Sequence, residues 1–122
     1  MNYLLDSVIL IDHFNGIDPA GAFLARVKNE AAISAVTRAE VLTGFSDDTG
    51  LHLAARLLDA FHFLPLDQES ADLAARLRQS NGWKLPDAFQ AAVAQCHGLK
   101  LVTRNTRDFP PELDFVVIPY QV

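Results

Sequence analysis

Five short apolar stretches recur along the chain, and each is separated from the next by roughly ten or more residues, too long a link for a hairpin. Parallel pairing follows, because antiparallel neighbours can be joined by tight turns whereas parallel ones need crossovers. The stretches are Tyr3 to Leu5, Ala31 to Val36, His62 to Leu66, Leu99 to Thr103 and Phe115 to Ile118. Helical patterns fill the intervals. Ser7 to Asn15 is closed by Gly16, and Asp18-Pro19 opens a helix with Phe23, Leu24 and Val27 on its apolar face and Asp18 as its cap. Thr37 to Phe45 is helical and is followed by a polar loop, Ser46 to Gly50, and Leu51 to Phe61 has helical spacing. Asp67 caps a helix through Leu77, Asn81-Gly82 breaks the chain, and Pro86 starts a helix that Gly98 ends. Pro110-Pro111 forbids regular structure before the last strand. The expected fold is one α/β domain over residues 1–122, three layers deep (α/β/α), around a short five-stranded parallel sheet.

Several classes are excluded by composition. At 122 residues and 50% hydrophobic content the chain can form a core without staples. A single cysteine, Cys96, leaves no intramolecular disulfide and no cysteine-rich zinc site, and suits a reducing compartment. No apolar run reaches about 18 residues, so no membrane span is expected. Met1-Asn2-Tyr3 lacks a basic leader, so a signal peptide is not expected and the cytoplasm is the expected location. A net charge of −5 argues at first sight against a nucleic-acid partner.

In parallel α/β sheets, ligands sit beyond the carboxyl ends of the strands. Carboxylates dominate that edge: Asp6 after the first strand, Glu40 shortly after the second, Asp67 after the third and Asp108 after the fourth, with Asp87 in the first turn of the helix feeding the fourth. Most have an ordinary structural explanation. Thr37-Arg38-Ala39-Glu40 fits a capping box, Asp67 an N-cap, Pro86-Asp87 a helix start and Asp108 a turn before the prolines. Asp6 is different. It lies between two apolar runs, with no basic residue nearer in sequence than Arg26, and a carboxylate there needs a partner. A cation shared among several carboxylates would meet that need. Such a set, with no histidine or thiolate, suits Mg²⁺ or Mn²⁺ rather than Zn²⁺. His13, His52, His62 and His97 have no metal-ligand spacing, and Cys96-His97 reads as a helix end. The corresponding chemistry is phosphoester hydrolysis. Arg38, Lys84, Arg104 and Arg107, all a few positions from these acids, are the candidates to hold a phosphate backbone.

Four segments resemble a known family in order and spacing. Tyr3-Leu4-Leu5-Asp6-Ser7-Val8-Ile9-Leu10-Ile11-Asp12 resembles the opening of PIN-domain proteins of the VapC toxin type. Thr37-Arg38-Ala39-Glu40-Val41-Leu42-Thr43-Gly44 is similar to their second motif, Leu85-Pro86-Asp87-Ala88-Phe89-Gln90-Ala91-Ala92 to the third, and Leu101-Val102-Thr103-Arg104-Asn105-Thr106-Arg107-Asp108-Phe109 to the fourth. The resemblance implies a PIN-like fold and a metal-dependent endoribonuclease, the toxin of a type II toxin–antitoxin pair. It also implies a cognate VapB-type antitoxin, an RNA substrate, a homodimer and Mg²⁺ or Mn²⁺. Carried over by position, Asp6 and Asp87 are the metal ligands, and Glu40 completes the cluster directly or through water. Asp108 takes the fourth acidic role where some relatives have an acid at the place of Asn105. Ser7, Thr103 and Asn105 support the ligands from outside. Where many relatives carry Thr-Asn after the first aspartate, Ser7-Val8 stands here, keeping the hydroxyl and losing an amide.

Two alternatives stand beside this. A phosphoacceptor signalling domain would use Asp6, Asp67 and Lys100, yet wants an acidic pair beside Asp6; a haloacid-type phosphatase fails for the same reason, lacking an acid at position 8. A PIN-shaped interaction module without activity has no use for clustered, mutually repelling carboxylates. Removing Asp6, Glu40, Asp87 and Asp108 from the 15 acidic residues leaves 11 against 10 basic ones, a balance of −1. On that reading the acidity is largely the site itself.

Overall fold

A computed structural model describes residues 1–122. The chain runs β1 (Tyr3–Leu5), α1 (Ser7–Phe14), α2 (Asp18–Val27), one 3-10 turn (Lys28–Glu30), β2 (Ala31–Ser34), α3 (Ala35–Thr43) and α4 (Asp48–Leu58). It continues through β3 (His62–Leu64), α5 (Gln68–Asn81), α6 (Leu85–Cys96), β4 (Lys100–Val102) and β5 (Val116–Val117). All four strand pairings are parallel, in the order β3-β2-β1-β4-β5. The chain steps outward from β1 through β2 to β3, then crosses back to place β4 on the other side of β1. The strand order therefore reverses between β1 and β4.

Alternation along each strand divides the core in two. Leu4, Ala32 and Leu101 pack with Trp83 and the alanine-rich face of α6 on one side of the sheet. Leu5, Ile33 and Val102 pack with Ile9, Phe23, Val41 and Leu58 on the other. Three layers result, as the pattern of apolar residues requires.

The second strand is shorter than its apolar run suggests, because the residue closing it also caps the next helix, and the cap of α1 directly follows the first strand. Asp6 accepts from the Ser7 amide to cap α1, and Ser34 accepts from the Thr37 amide to cap α3. The second strand thus ends at Ser34 rather than Val36, and Thr37 lies inside the helix. This corrects the capping box expected at Thr37–Glu40: Thr37 Oγ1 donates to the Leu5 carbonyl at 2.9 Å, and Glu40 is free of any capping role. Asp18 is likewise the first helical residue and not the cap, which falls at Ile17 without a side-chain bond. The polar loop after α3 shrinks because Asp47 caps a helix starting at Asp48. Asp67 does cap α5, in a reciprocal box with Ser70. That helix continues to Asn81, where Gly82 takes a left-handed conformation at φ 72°.

Candidate active site

Asp6 stands at the carboxyl end of β1, beside the end of β4, where the strand order reverses. The Asp6 amide donates to Val102 O at 2.9 Å, which fixes its side chain at this junction. That side chain is only 6% exposed. Its Oδ1 accepts from the Ser7 amide at 2.9 Å and from Gln90 Nε2 at 3.2 Å, while its Oδ2 accepts from Thr103 Oγ1 at 2.7 Å. Burial raises its pKa, and the bonds from Thr103, Ser7 and Gln90 oppose that rise. The partner that the sequence withholds from Asp6 is therefore a set of neutral donors and not a basic residue.

Asp87 enters from the first turn of α6. Its pKa is pushed up to about 6, first by burial and then by repulsion from Asp6, Asp108 and Glu40, with Lys84 pulling the other way. Glu40, exposed on α3, is raised by desolvation and by Asp6, and Ser7 counters this. Asp108 is positioned from two directions. Its Oδ2 accepts from Asn105 Nδ2 at 3.0 Å, and its carbonyl accepts from the Trp83 indole at 2.9 Å. Asn105 is tied back in turn, since its amide donates to Thr103 Oγ1 at 3.0 Å. Thr103 thus bonds Asp6 on one side and the loop carrying Asp108 on the other.

Asp6, Glu40 and Asp108 all push the Asp87 pKa up after burial does, and Asp6 does the same to Glu40, so the four carboxylates form a cluster suited to a cation. They are hard oxygen donors with no histidine or thiolate among them, as Mg²⁺ or Mn²⁺ requires. No group of three acidic, histidine or cysteine side chains already stands close enough to enclose an ion. An open set fits Mg²⁺, which keeps several waters and takes only one or two carboxylates directly.

The basic residues divide. Arg104 grips Asp12, with Nε to Oδ2 at 2.6 Å and a second nitrogen to Oδ1 at 2.8 Å, and the Tyr120 hydroxyl donates to the same carboxylate at 2.8 Å. Asp12 is buried, and Arg104 holds its carboxyl below the usual range. Arg38 pairs with Asp59 at 2.9 Å on the surface. Two of the four cations expected to hold a phosphate backbone, Arg104 and Arg38, are thus engaged with carboxylates. Lys84 and Arg107 are exposed and make no ion pair. Lys100, needed by a phosphoacceptor site, lies at the opposite end of the sheet from Asp6, with its ammonium on the Asp114 carbonyl.

The family model of the PIN domain matches residues 3–111. The chain belongs to the PIN domain family. A chain from a toxin–antitoxin complex of Klebsiella pneumoniae is 37% identical, covers 99% of this chain and 100% of its own, and superposes with a TM-score of 0.91. FitAcB from Neisseria gonorrhoeae shares the fold at 22% identity and TM-score 0.79, over 98% of this chain and 99% of that one. DNA-bound VapBC from Salmonella typhimurium does so at 19% and 0.78, over 89% and 90%. No curated protein matches the chain significantly.

Within this PIN domain, sequence reasoning missed Gln90, Ser34, Thr37 and Asp12. Gln90 is 1% exposed and sits at the hub of the site, bonded to Asp6, Thr37 and Ser34. One signal could have found it. Gln90 falls three positions after Asp87 on a helix whose other residues on that side, Ala91 and Ala94, are small and apolar.

Proposed function

We propose that this PIN domain is the toxin of a VapBC-like type II toxin–antitoxin pair, a Mg²⁺- or Mn²⁺-dependent endoribonuclease that hydrolyses RNA phosphodiester bonds. The observation that supports it most is the elevation of Asp87 to about 6, by burial first and then by Asp6, Asp108 and Glu40, four acids that no structural role requires together. Asp6 and Asp87 would hold the cation, with Glu40 and Asp108 completing the shell directly or through water. When bound, the ion supplies a nucleophile at neutral pH and neutralises charge on the leaving oxygen. Thr103, Ser7 and Gln90 favour the ionised form of Asp6 against the effect of its burial and fix its orientation. Glu40, whose pKa is raised by desolvation and then by Asp6, would orient or deprotonate the attacking water. Asn105 steadies Asp108. Lys84 and Arg107 are the nearby unpaired cations that would hold the RNA backbone, and Arg38 and Arg104 would first have to leave their carboxylates.

The Klebsiella relative belongs to a toxin–antitoxin complex, which supports an antitoxin partner here. The homodimer that the family resemblance implies is part of the same reading. No helix is long and apolar enough to cross a membrane.

The test is cleavage of a mixed RNA pool by the purified chain, with and without EDTA and Mn²⁺, followed by sequencing of the new ends. Metal-dependent cuts that disappear in Asp6→Asn and Asp87→Asn are expected. Cuts that survive EDTA, or none with any metal, would rule this reading out. Co-expression with the product of an adjacent small reading frame should suppress the cuts.

A further inference from the structure

We propose that Gln90 is a positioning residue that fixes how Asp6 is presented to a divalent cation, an inference that rests on reading the acidic cluster as a cation site. Gln90 is buried in the gap between α6, β2, α3 and the end of β1, and every polar atom of its amide is engaged. Nε2 donates to Asp6 Oδ1 at 3.2 Å and to Thr37 Oγ1 at 2.6 Å, and Oε1 accepts from Ser34 Oγ at 2.7 Å.

The direction of these bonds is forced. The Thr37 hydroxyl has one proton and gives it to the Leu5 carbonyl, so toward Gln90 it can only accept. Ser34 Oγ accepts from the Thr37 amide at 3.3 Å, which leaves its own proton for Gln90 Oε1. A flipped amide would set a carbonyl oxygen against the Asp6 carboxylate and against a hydroxyl with no proton to spare. Only one orientation satisfies all partners, and no buried side-chain nitrogen or oxygen is left without one.

For Asp6 the consequence is a count of lone pairs. A carboxylate offers about four acceptor sites. Two on Oδ1 take the Ser7 amide and Gln90, and one on Oδ2 takes Thr103. The remaining site lies on Oδ2, so Asp6 can meet a cation through that oxygen alone. Gln90 also shares α6 with Asp87, three positions away on one face. Its bond to Asp6 therefore ties the helix that carries one proposed ligand to the strand that carries the other.

Calorimetric titration of the full chain with Mn²⁺ tests this. Gln90→Met keeps the side-chain length but removes both donors and the acceptor, and should weaken Mn²⁺ binding about tenfold or more, as loss of a ligand's supporting bond does. Ser34→Ala releases Oε1 of Gln90 and also removes the cap of α3. The variant's melting temperature should fall in any case, while its Mn²⁺ affinity should drop about threefold, the worth of one neutral hydrogen bond. It also stands in if Gln90→Met fails to fold. Gln95→Met, exposed on the same helix, should bind as wild type. A purely structural role would lower the melting temperature of the Gln90 and Ser34 variants without changing affinity. Folded variants that bind Mn²⁺ like wild type would overturn the role of Gln90 alone. A wild-type chain that binds no Mn²⁺ would remove the cation site itself.

Discussion

Asp87 is the residue at which the cost of assembling this site is easiest to measure. Its pKa in the folded chain is about 6, against an ordinary value of 3.8. Ionisation is therefore easier in the unfolded chain than in the folded one. As the pH rises from about 4 through 6 the unfolded state loses its proton first, and the metal-free fold loses stability across that window. The shift corresponds to an upper bound of about 3 kcal/mol, which solvent screening of a half-buried group reduces to about 1. Asp87→Asn removes the charge and keeps the shape. In EDTA at neutral pH this variant should match or exceed wild type in thermal stability, by up to about 1 kcal/mol, and its melting temperature should stay flatter between pH 4 and 6.5. A variant that instead melts well below wild type at neutral pH would mean that Asp87 serves α6 as a helix-start residue and is not held against its neighbours. The pair Asp12–Arg104 shows the opposite case, a buried acid whose charge the fold stabilises.

Elements were legible in proportion to how local their causes are. The five strands, their parallel pairing and the helix start at Asp67 follow from spacing and capping chemistry within a few residues. Gly82 is such a local stop: it adopts φ 72°, and no atom lies within 4 Å of the position a Cβ would take. Gly82→Ala should therefore destabilise by about 1–2 kcal/mol through backbone strain alone, read as a lower denaturation midpoint. Gly82→Asn should cost less, since asparagine tolerates this region. Equal losses in the two variants would place the cost in packing, where the space around the residue gives no reason for one. The ends of β2 and α3 were not legible, because their cause is distant in sequence. Thr37 looks like a cap when read locally, yet its hydroxyl is drawn inward by the Leu5 carbonyl and by Gln90. The same holds for the site. Its acids could be found by their place after each strand, and four motifs in order named them. Gln90 carried only the faint signal of a polar residue amid alanines on the side of α6 that also bears Asp87, and Arg104 stood beside Asn105 with no hint that Asp12 would claim it.

Across the whole molecule, charge decides how RNA could be held. The balance of −5 falls to −1 once the four clustered acids are set aside, so no general basic surface remains to attract a polyanion. Of the four cations near the site, Arg38 and Arg104 are paired with Asp59 and Asp12, and only Lys84 and Arg107 are unpaired. Each cation that meets a phosphate of a single strand releases counterions and contributes about −0.7 to the slope of log affinity against log salt. Binding should therefore be weakly salt-dependent, with a slope near −1.4 for each chain engaged. Measured at fixed Mg²⁺ with the Asp87→Asn variant, so that RNA is not consumed, Lys84→Gln and Arg107→Gln should each reduce the magnitude of the slope by about 0.7. Arg38→Gln in the same background should leave it unchanged. A slope twice as steep for each chain, or one that Arg38→Gln reduces, would mean that RNA draws the arginines away from their carboxylates. Recognition would then be coupled to a rearrangement: freeing Arg104 uncovers the buried charge of Asp12 and loosens the loop that holds Thr103, Asn105 and Asp108 at the site.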